Sequence, residues 1–191
     1  MAYIVIKFAN SPRAGRWVLE RSLDGENFHP WQYFANHGSD CPPNFGIAHT
    51  GANDWVSIDD EVRCTSDFSE IPPLENGEII VSLIKGRPGA VNFWSSPTLQ
   101  AWTKARKIRL RFELAKTLLG HLMGIMENDE SVTRRYFYSI KDISIGGRCD
   151  CNGHADECSA DKNSGDYKLD RKSTRLNSSH KLIHLVCRLL L

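Results

Sequence analysis

A chain of 191 residues, 41% hydrophobic and 25% charged, is long enough for one domain with a real core plus a small appendage, and its composition excludes a disordered segment. Net charge is +1, but the last 21 residues hold five Lys/Arg (Arg171, Lys172, Arg175, Lys181, Arg188) and no acid, leaving 19 basic against 23 acidic residues in the body and no basic footprint for nucleic acid. No apolar run nears the roughly 20 residues that cross a bilayer, which excludes an inserted helix.

Taken in chain order, the dominant period is two. "AYIVIKF" (2–8) reads as a β-strand that begins abruptly, with no basic n-region and no small-residue cleavage site before it. The expectation is a fragment whose true start lies upstream. "WVLERSL" (17–23) is a second strand candidate, and "EIIVSLI" (78–84) a third. Turn clusters separate them: "NSPRAG", "LDGENFHP", "CPPNFG", "HTGANDW", "IPPLENGE", "KGRPGA" and "SSPT". In "KIRLRFEL" (107–114) Ile108, Leu110, Phe112 and Leu114 face one way and Arg109, Arg111 and Glu113 the other, the pattern of a half-buried antiparallel strand. "RRYFYSIKDI" (134–143) repeats it, with Tyr136, Tyr138 and Ile140 on one side. Between these two, "LAKTLLGHLMGIMEND" (114–129) competes for helix through Leu118, Leu119, Leu122 and Met126, weakened by Gly120 and Gly124. Many short strands with Gly/Pro punctuation predict an all-β sandwich or jelly roll.

After Gly147 the composition changes. Residues 148–170 are polar, Cys-rich and nearly free of large apolar side chains, so they need staples in place of a core. From Arg171 it changes again, and residues 171–191 read as a non-native tail.

Six cysteines (Cys41, Cys64, Cys149, Cys151, Cys158, Cys187) allow 15 pairings, and spacing does not choose among them. A zinc reading of Cys149, Cys151, His154 and Cys158 has the right atoms. Its spacing is poor, because all four ligands come from one ten-residue piece. A disulfide reading suits a coreless extracellular appendage and also accounts for Cys41 and Cys64.

Enzymatic chemistry finds no support: there is no G-x-S-x-G, P-loop or G-x-G-x-x-G motif, and no triad follows from residue order. No cofactor is expected. Asp54, Asp59, Asp60 and Glu61 in "NDWVSIDDE" offer oxygen ligands of the kind calcium takes, set against an ordinary solvated acidic loop. "IPPLENGEII" is the candidate partner loop. Its prolines, Pro73 among them, stiffen it; Glu75, Asn76 and Glu78 offer polar handles beside Leu74 and Gly77. Arg134 and Arg135 are candidates to pair with such carboxylates across an interface. Trp17, Trp31, Trp55, Trp94 and Trp102 would be the stacking residues of an alternative, a carbohydrate- or receptor-binding jelly roll.

The stretches "NSPRAGRWVLERSLDG", "FHPWQYFA", "DDEVRCTSDFSEIPPLENGE", "SLIKGRPGA", "ARKIRLRF" and "VTRRYFYSIKDISIGGRCDCNGHADEC" cover nearly all of residues 2–158. Through them the chain resembles the N-terminal domain of a laminin alpha chain followed by the start of its first EGF-like module, and "TLLGHLMG" and "SIGGRC" make it most similar to the alpha-3 and alpha-5 kinds. The resemblance implies a jelly-roll β-sandwich over 1–148, partial because family strands upstream of "AYIVIKF" are missing, and a truncated EGF-like module over 149–170. It implies a bridge between Cys41 and Cys64, another between Cys149 and Cys158, and an orphaned Cys151. It further implies a secreted basement-membrane protein whose partners are the N-terminal domains of laminin beta and gamma chains.

Overall fold

The structure, a computed structural model, describes residues 1–70, 72–114, 137–147, 158–160 and 167–169. Among them lie nine strands: β1 (Tyr3–Phe8), β2 (Arg16–Ser22), β3 (His29–Phe34), β4 (Arg63–Thr65), β5 (Glu78–Ser82), β6 (Lys107–Leu114), β7 (Ile140–Gly146), β8 (Cys158–Ala160) and β9 (Tyr167–Leu169). Two short helices, α1 (Cys41–Phe45) and α2 (Pro97–Trp102), interrupt the long connections.

Two sheets face each other. One has the order β5-β1-β7, all antiparallel; the other has the order β4-β3-β2-β6, with β4 parallel to β3. The period-two pattern decides what lies between them. Ile4, Ile6 and Phe8 of β1, Ile79 and Val81 of β5, and Ile143 and Ile145 of β7 meet Trp17 and Leu19 of β2, Trp31 and Phe34 of β3, and Ile108 and Leu110 of β6. The Trp17 ring stacks on Phe34 at 3.8 Å between centroids, and Phe112 packs edge-on to Phe8 across the sheets at 6.4 Å. This is the all-β sandwich that alternation predicts. Sheet-on-sheet burial of this kind supplies most of the driving force for folding.

Three local expectations need correction. "LDGENFHP" is not turn throughout, because β3 starts at His29. Pro30 is tolerated inside a sheet because β4 pairs only with Gln32–Phe34, so the missing Pro30 N–H has no ladder partner to disappoint on that side. The register of β3 on β2 shifts beside Trp31, and this bulge lets both Trp31 and Phe34 reach the core. Second, of the strand expected over 134–143, residues 134–136 lie outside the described residues, 137–139 are not strand, and β7 runs from Ile140 to Gly146. Just before it, Ser139 is taken by the β1–β2 connection: its N–H donates to Ser11 Oγ at 3.0 Å and its carbonyl accepts from the Ala9 N–H at 2.8 Å. Third, Leu114, expected on the apolar face of β6, is 47% exposed.

The helix competitor over 115–129, Arg134, Arg135, Cys149, Cys151, His154 and the tail from Arg171 lie outside the described residues. So does the expected Cys149–Cys158 bridge. β8 and β9, within 149–170, form a small antiparallel pair of their own.

Candidate docking loops

The Pro73–Glu78 loop enters β5 and sits beside the end of β1. Two main-chain bonds extend the β1–β5 ladder into it: the Asn76 N–H donates to Ala9 O at 2.7 Å, and the Phe8 N–H donates to Gly77 O at 2.8 Å. Asn76 adopts a left-handed φ of 57°, a conformation that asparagine tolerates far better than branched residues. The Pro72–Pro73 bond is cis.

The two ends of the loop are held by a residue of the β1–β2 connection, Arg13. Arg13 Nη2 donates to Pro72 O at 2.8 Å and Glu70 O at 3.0 Å, and Nη1 reaches Glu78 O at 3.4 Å. A planar guanidinium fork suits several fixed acceptors at once. Burial lowers the Arg13 pKa, with the Glu70 carboxylate opposing that shift. Gly77 lies under the Arg13 stem, where an added Cβ would stand 3.0 Å from Cγ. What projects outward is Leu74, 50% exposed, with Glu75 and Asn76; Glu78 forms a 2.9 Å ion pair with Lys7. The result is a stiff tip with one exposed apolar side chain and polar flanks.

The acidic group of "NDWVSIDDE" is not gathered as a calcium site. Asp59 spends both oxygens on its neighbours, Oδ1 accepting from the Gly89 N–H at 2.7 Å and Oδ2 from Ser96 Oγ at 2.5 Å. Asp54 accepts from the Gly51 N–H, and Glu61 from the Ser57 N–H. Among the described residues no three His, Cys, Asp or Glu side chains converge to hold a metal ion.

Two buried arginines organise this region. Arg63 donates to Ala52 O, Asp54 O and Lys85 O; Arg87 donates to Asp59 O at 2.7 Å and Glu61 O at 3.0 Å, and lies over the Trp102 ring at 4.6 Å. Both are at most 2% exposed. Burial, with the Arg63 charge beside it, lowers Arg87 to about 10 despite the opposing carboxylates of Asp59, Glu61 and Asp60. Neither arginine, nor Arg13, was singled out from sequence. Their acceptors are main-chain carbonyls, which no side-chain motif marks.

On the other side of β4, Cys64 is joined to Cys41 of α1 by a disulfide closing a separation of 23 residues. Ala35, Tyr33, Phe45 and Ile47 pack around it. Of the five tryptophans considered for glycan stacking, Trp17, Trp31 and Trp102 are at most 4% exposed and belong to the core, whereas Trp55 and Trp94 are 73% and 67% exposed.

Together these features define a disulfide-pinned β-sandwich that presents rigid loops, the build of an interaction module. Residues 1–147 match the family model "Laminin N-terminal (Domain VI)", and the chain belongs to that family. It is 60% identical to human laminin subunit alpha-3 over 159 residues, 52% identical to the laminin subunit alpha of Drosophila melanogaster over 159 residues, and 35% identical to human laminin subunit gamma-1 over 158 residues. Each alignment covers 83% of this chain but only 5%, 4% and 9% of the respective relative, so the chain spans about a tenth or less of the curated relatives it matches. Its likeness is greater to the alpha chains than to gamma-1. The family consists of structural matrix domains, not enzymes. No helix among the described residues is long and apolar enough to cross a membrane.

Proposed function

We propose that this chain acts outside the cell as the self-assembly domain of a laminin alpha chain, docking the N-terminal domains of beta and gamma chains to knit laminin into basement membranes and support cell adhesion. The observation that carries the reading is the Pro73–Glu78 tip: exposed Leu74, Glu75 and Asn76 lie on a loop whose ends Arg13 holds and whose Asn76 N–H is bonded to Ala9 O, so little ordering remains to oppose binding. Arg134 and Arg135 complete the interface by pairing with partner carboxylates, and a Cys149–Cys158 bridge opens the EGF-like appendage. Glycan stacking loses three of its five candidate tryptophans to the interior, which leaves protein docking as the better-supported reading.

The test mixes the purified chain with recombinant beta- and gamma-chain N-terminal domains and follows complex formation by light scattering. A ternary complex is expected, and a Glu75→Lys chain is expected to form less of it. A folded chain that joins neither domain would reject the reading.

A further inference from the structure

Asn76 and Gly77, adjacent in the Pro73–Glu78 tip, bring together the two groups of a reaction that needs no enzyme. Asn76 is exposed and holds a left-handed φ of 57°. Among the described residues nothing pairs with its side-chain amide, and no acceptor takes the Gly77 N–H. The amide is therefore free to turn until its Cγ lies within the roughly 3–3.5 Å of the Gly77 nitrogen that attack requires. Glycine has no Cβ to obstruct the approach, and both groups belong to one short stretch of chain, so they meet at a high effective concentration. Only Asn76 and Asn152 among the chain's asparagines precede a glycine, and Asn152 lies outside the described residues.

The main chain on either side resists this reaction. The Asn76 N–H donates to Ala9 O at 2.7 Å, and the Phe8 N–H donates to Gly77 O at 2.8 Å. Gly77 is buried under the Arg13 stem, and Arg13 closes the loop by binding the carbonyls of Glu70, Pro72 and Glu78. Rotation of the Asn76 backbone toward ring closure has to open this frame. We propose that Asn76 is a site of spontaneous deamidation and that the Arg13 clamp sets its pace. Solvent base takes the Gly77 N–H proton, the nitrogen bonds to Asn76 Cγ, and the Cγ–Nδ2 bond breaks; the amide nitrogen picks up a proton and leaves as ammonia. Water then opens the ring. Attack at Cγ leaves aspartate at position 76, and attack at the main-chain carbonyl carbon leaves isoaspartate, with the chain running through Cγ. Water enters, ammonia leaves, and nothing is oxidised or reduced. Either product adds a negative charge between Glu75 and Glu78. Isoaspartate also lengthens the main chain by one carbon next to the bond to Ala9. This chemistry is independent of whether the tip docks.

The experiment keeps the folded 191-residue chain at body temperature, at neutral and at mildly alkaline pH, and samples it over several weeks. Peptide mapping by mass spectrometry reads the replacement of –NH2 by –OH at each asparagine, and electron-based fragmentation separates aspartate from isoaspartate. Product is expected at position 76, isoaspartate included, forming faster at the higher pH and more slowly than in the same chain unfolded in urea. Arg13→Ala is expected to speed it about fivefold, the effect of removing about one hydrogen bond's net restraint from the closed loop. Gly77→Ala is expected to lose nearly all of it. Circular dichroism and the melting temperature check that each variant is folded. If Arg13→Ala is not, Arg13→Lys takes its place with a smaller acceleration, since it keeps the stem over Gly77 but cannot span the carbonyls of Glu70, Pro72 and Glu78. A folded wild-type chain whose position 76 stays asparagine throughout would overturn the site. Aspartate there without isoaspartate would mean direct hydrolysis and overturn the ring route. Equal rates in wild type and the arginine variant would overturn the clamp.

Discussion

The Pro73–Glu78 tip and the paired loops 51–61 and 85–96 are both built by arginines that bind main-chain carbonyls, but the guanidinium groups sit in different places. Arg13 is half-buried and spans one loop. Arg63 and Arg87 are interior and join separate loops to each other and, through Trp102, to the core. A fully buried cation bonded to several carbonyls holds more structure than a half-buried one. Removing it leaves several carbonyls without partners where water is scarce. The first loop is therefore adjustable with little effect on the fold, and the second is part of the fold.

The sharpest way to break this contrast is to delete each arginine. Arg63→Met or Arg87→Met is expected to lower stability by roughly 4 kcal/mol, the sum of stranded carbonyls less some gain from a buried apolar side chain. Arg13→Met is expected to cost only about 1 kcal/mol. Guanidinium denaturation of the three variants reads this directly, and equal midpoints would sink the contrast. Arg63→Lys is expected to rescue little, because one ammonium cannot span acceptors on residues 52, 54 and 85.

Covalent pinning comes next in size. Arg63 and Cys64 are neighbours on β4 and point to opposite faces, so one strand is tied by hydrogen bonds on one side and by sulfur on the other. The double variant Cys41→Ser/Cys64→Ser is expected to cost about 3 kcal/mol from the unfolded state alone. Thermal unfolding of the 1–148 domain under oxidising and reducing conditions checks it: the wild-type transition falls by far more on reduction than that of the variant, which keeps only the cysteines beyond residue 148.

The tip itself gives a smaller effect with a local readout. Arg13→Ala is expected to raise hydrogen exchange at the Asn76 amide, whose Ala9 partner remains, while amides of the β2–β6 ladder stay protected. Uniform loss of protection across both sheets would instead make Arg13 a core support, and the two regions would be alike.

What was legible in the sequence follows from the same distinction between local pattern and distant partner. β1, β5 and β6 announce themselves because Ile4/Ile6/Phe8, Ile79/Val81 and Ile108/Leu110/Phe112 alternate with polar or exposed residues. β3 hides, since His29–Pro30 reads as turn chemistry and the bulge at Trp31 breaks the alternation. β4 hides too: three residues, all buried and one an arginine, carry no period, and only a parallel neighbour some 30 residues away makes them a strand. The tip was legible through Pro73, Asn76 and Gly77, whose backbone preferences are intrinsic. Its anchor was not, because Arg13 acts on carbonyls 57 to 65 residues further along the chain.

The turn between β2 and β3 supplies the smallest contrast, a loop anchored by an acceptor side chain in place of a guanidinium. The Asp24 carboxylate receives the Glu26 N–H, the Asn27 side-chain amide, the Ser22 hydroxyl and the Asn27 N–H, and these donors hold its pKa well below the usual carboxylate range. A depressed folded-state value contributes stability above the unfolded pKa of about 3.9 and loses it as pH falls toward the folded value. Asp24→Asn is therefore expected to lower the melting temperature slightly at neutral pH. Below about pH 4 the gap between wild type and variant should narrow steadily, because only the unfolded wild-type chain takes up the proton there. Melting curves of both chains from pH 7 down to pH 2.5 test this. A gap that widens on acidification would mean that Asp24 is not the anchor of its turn.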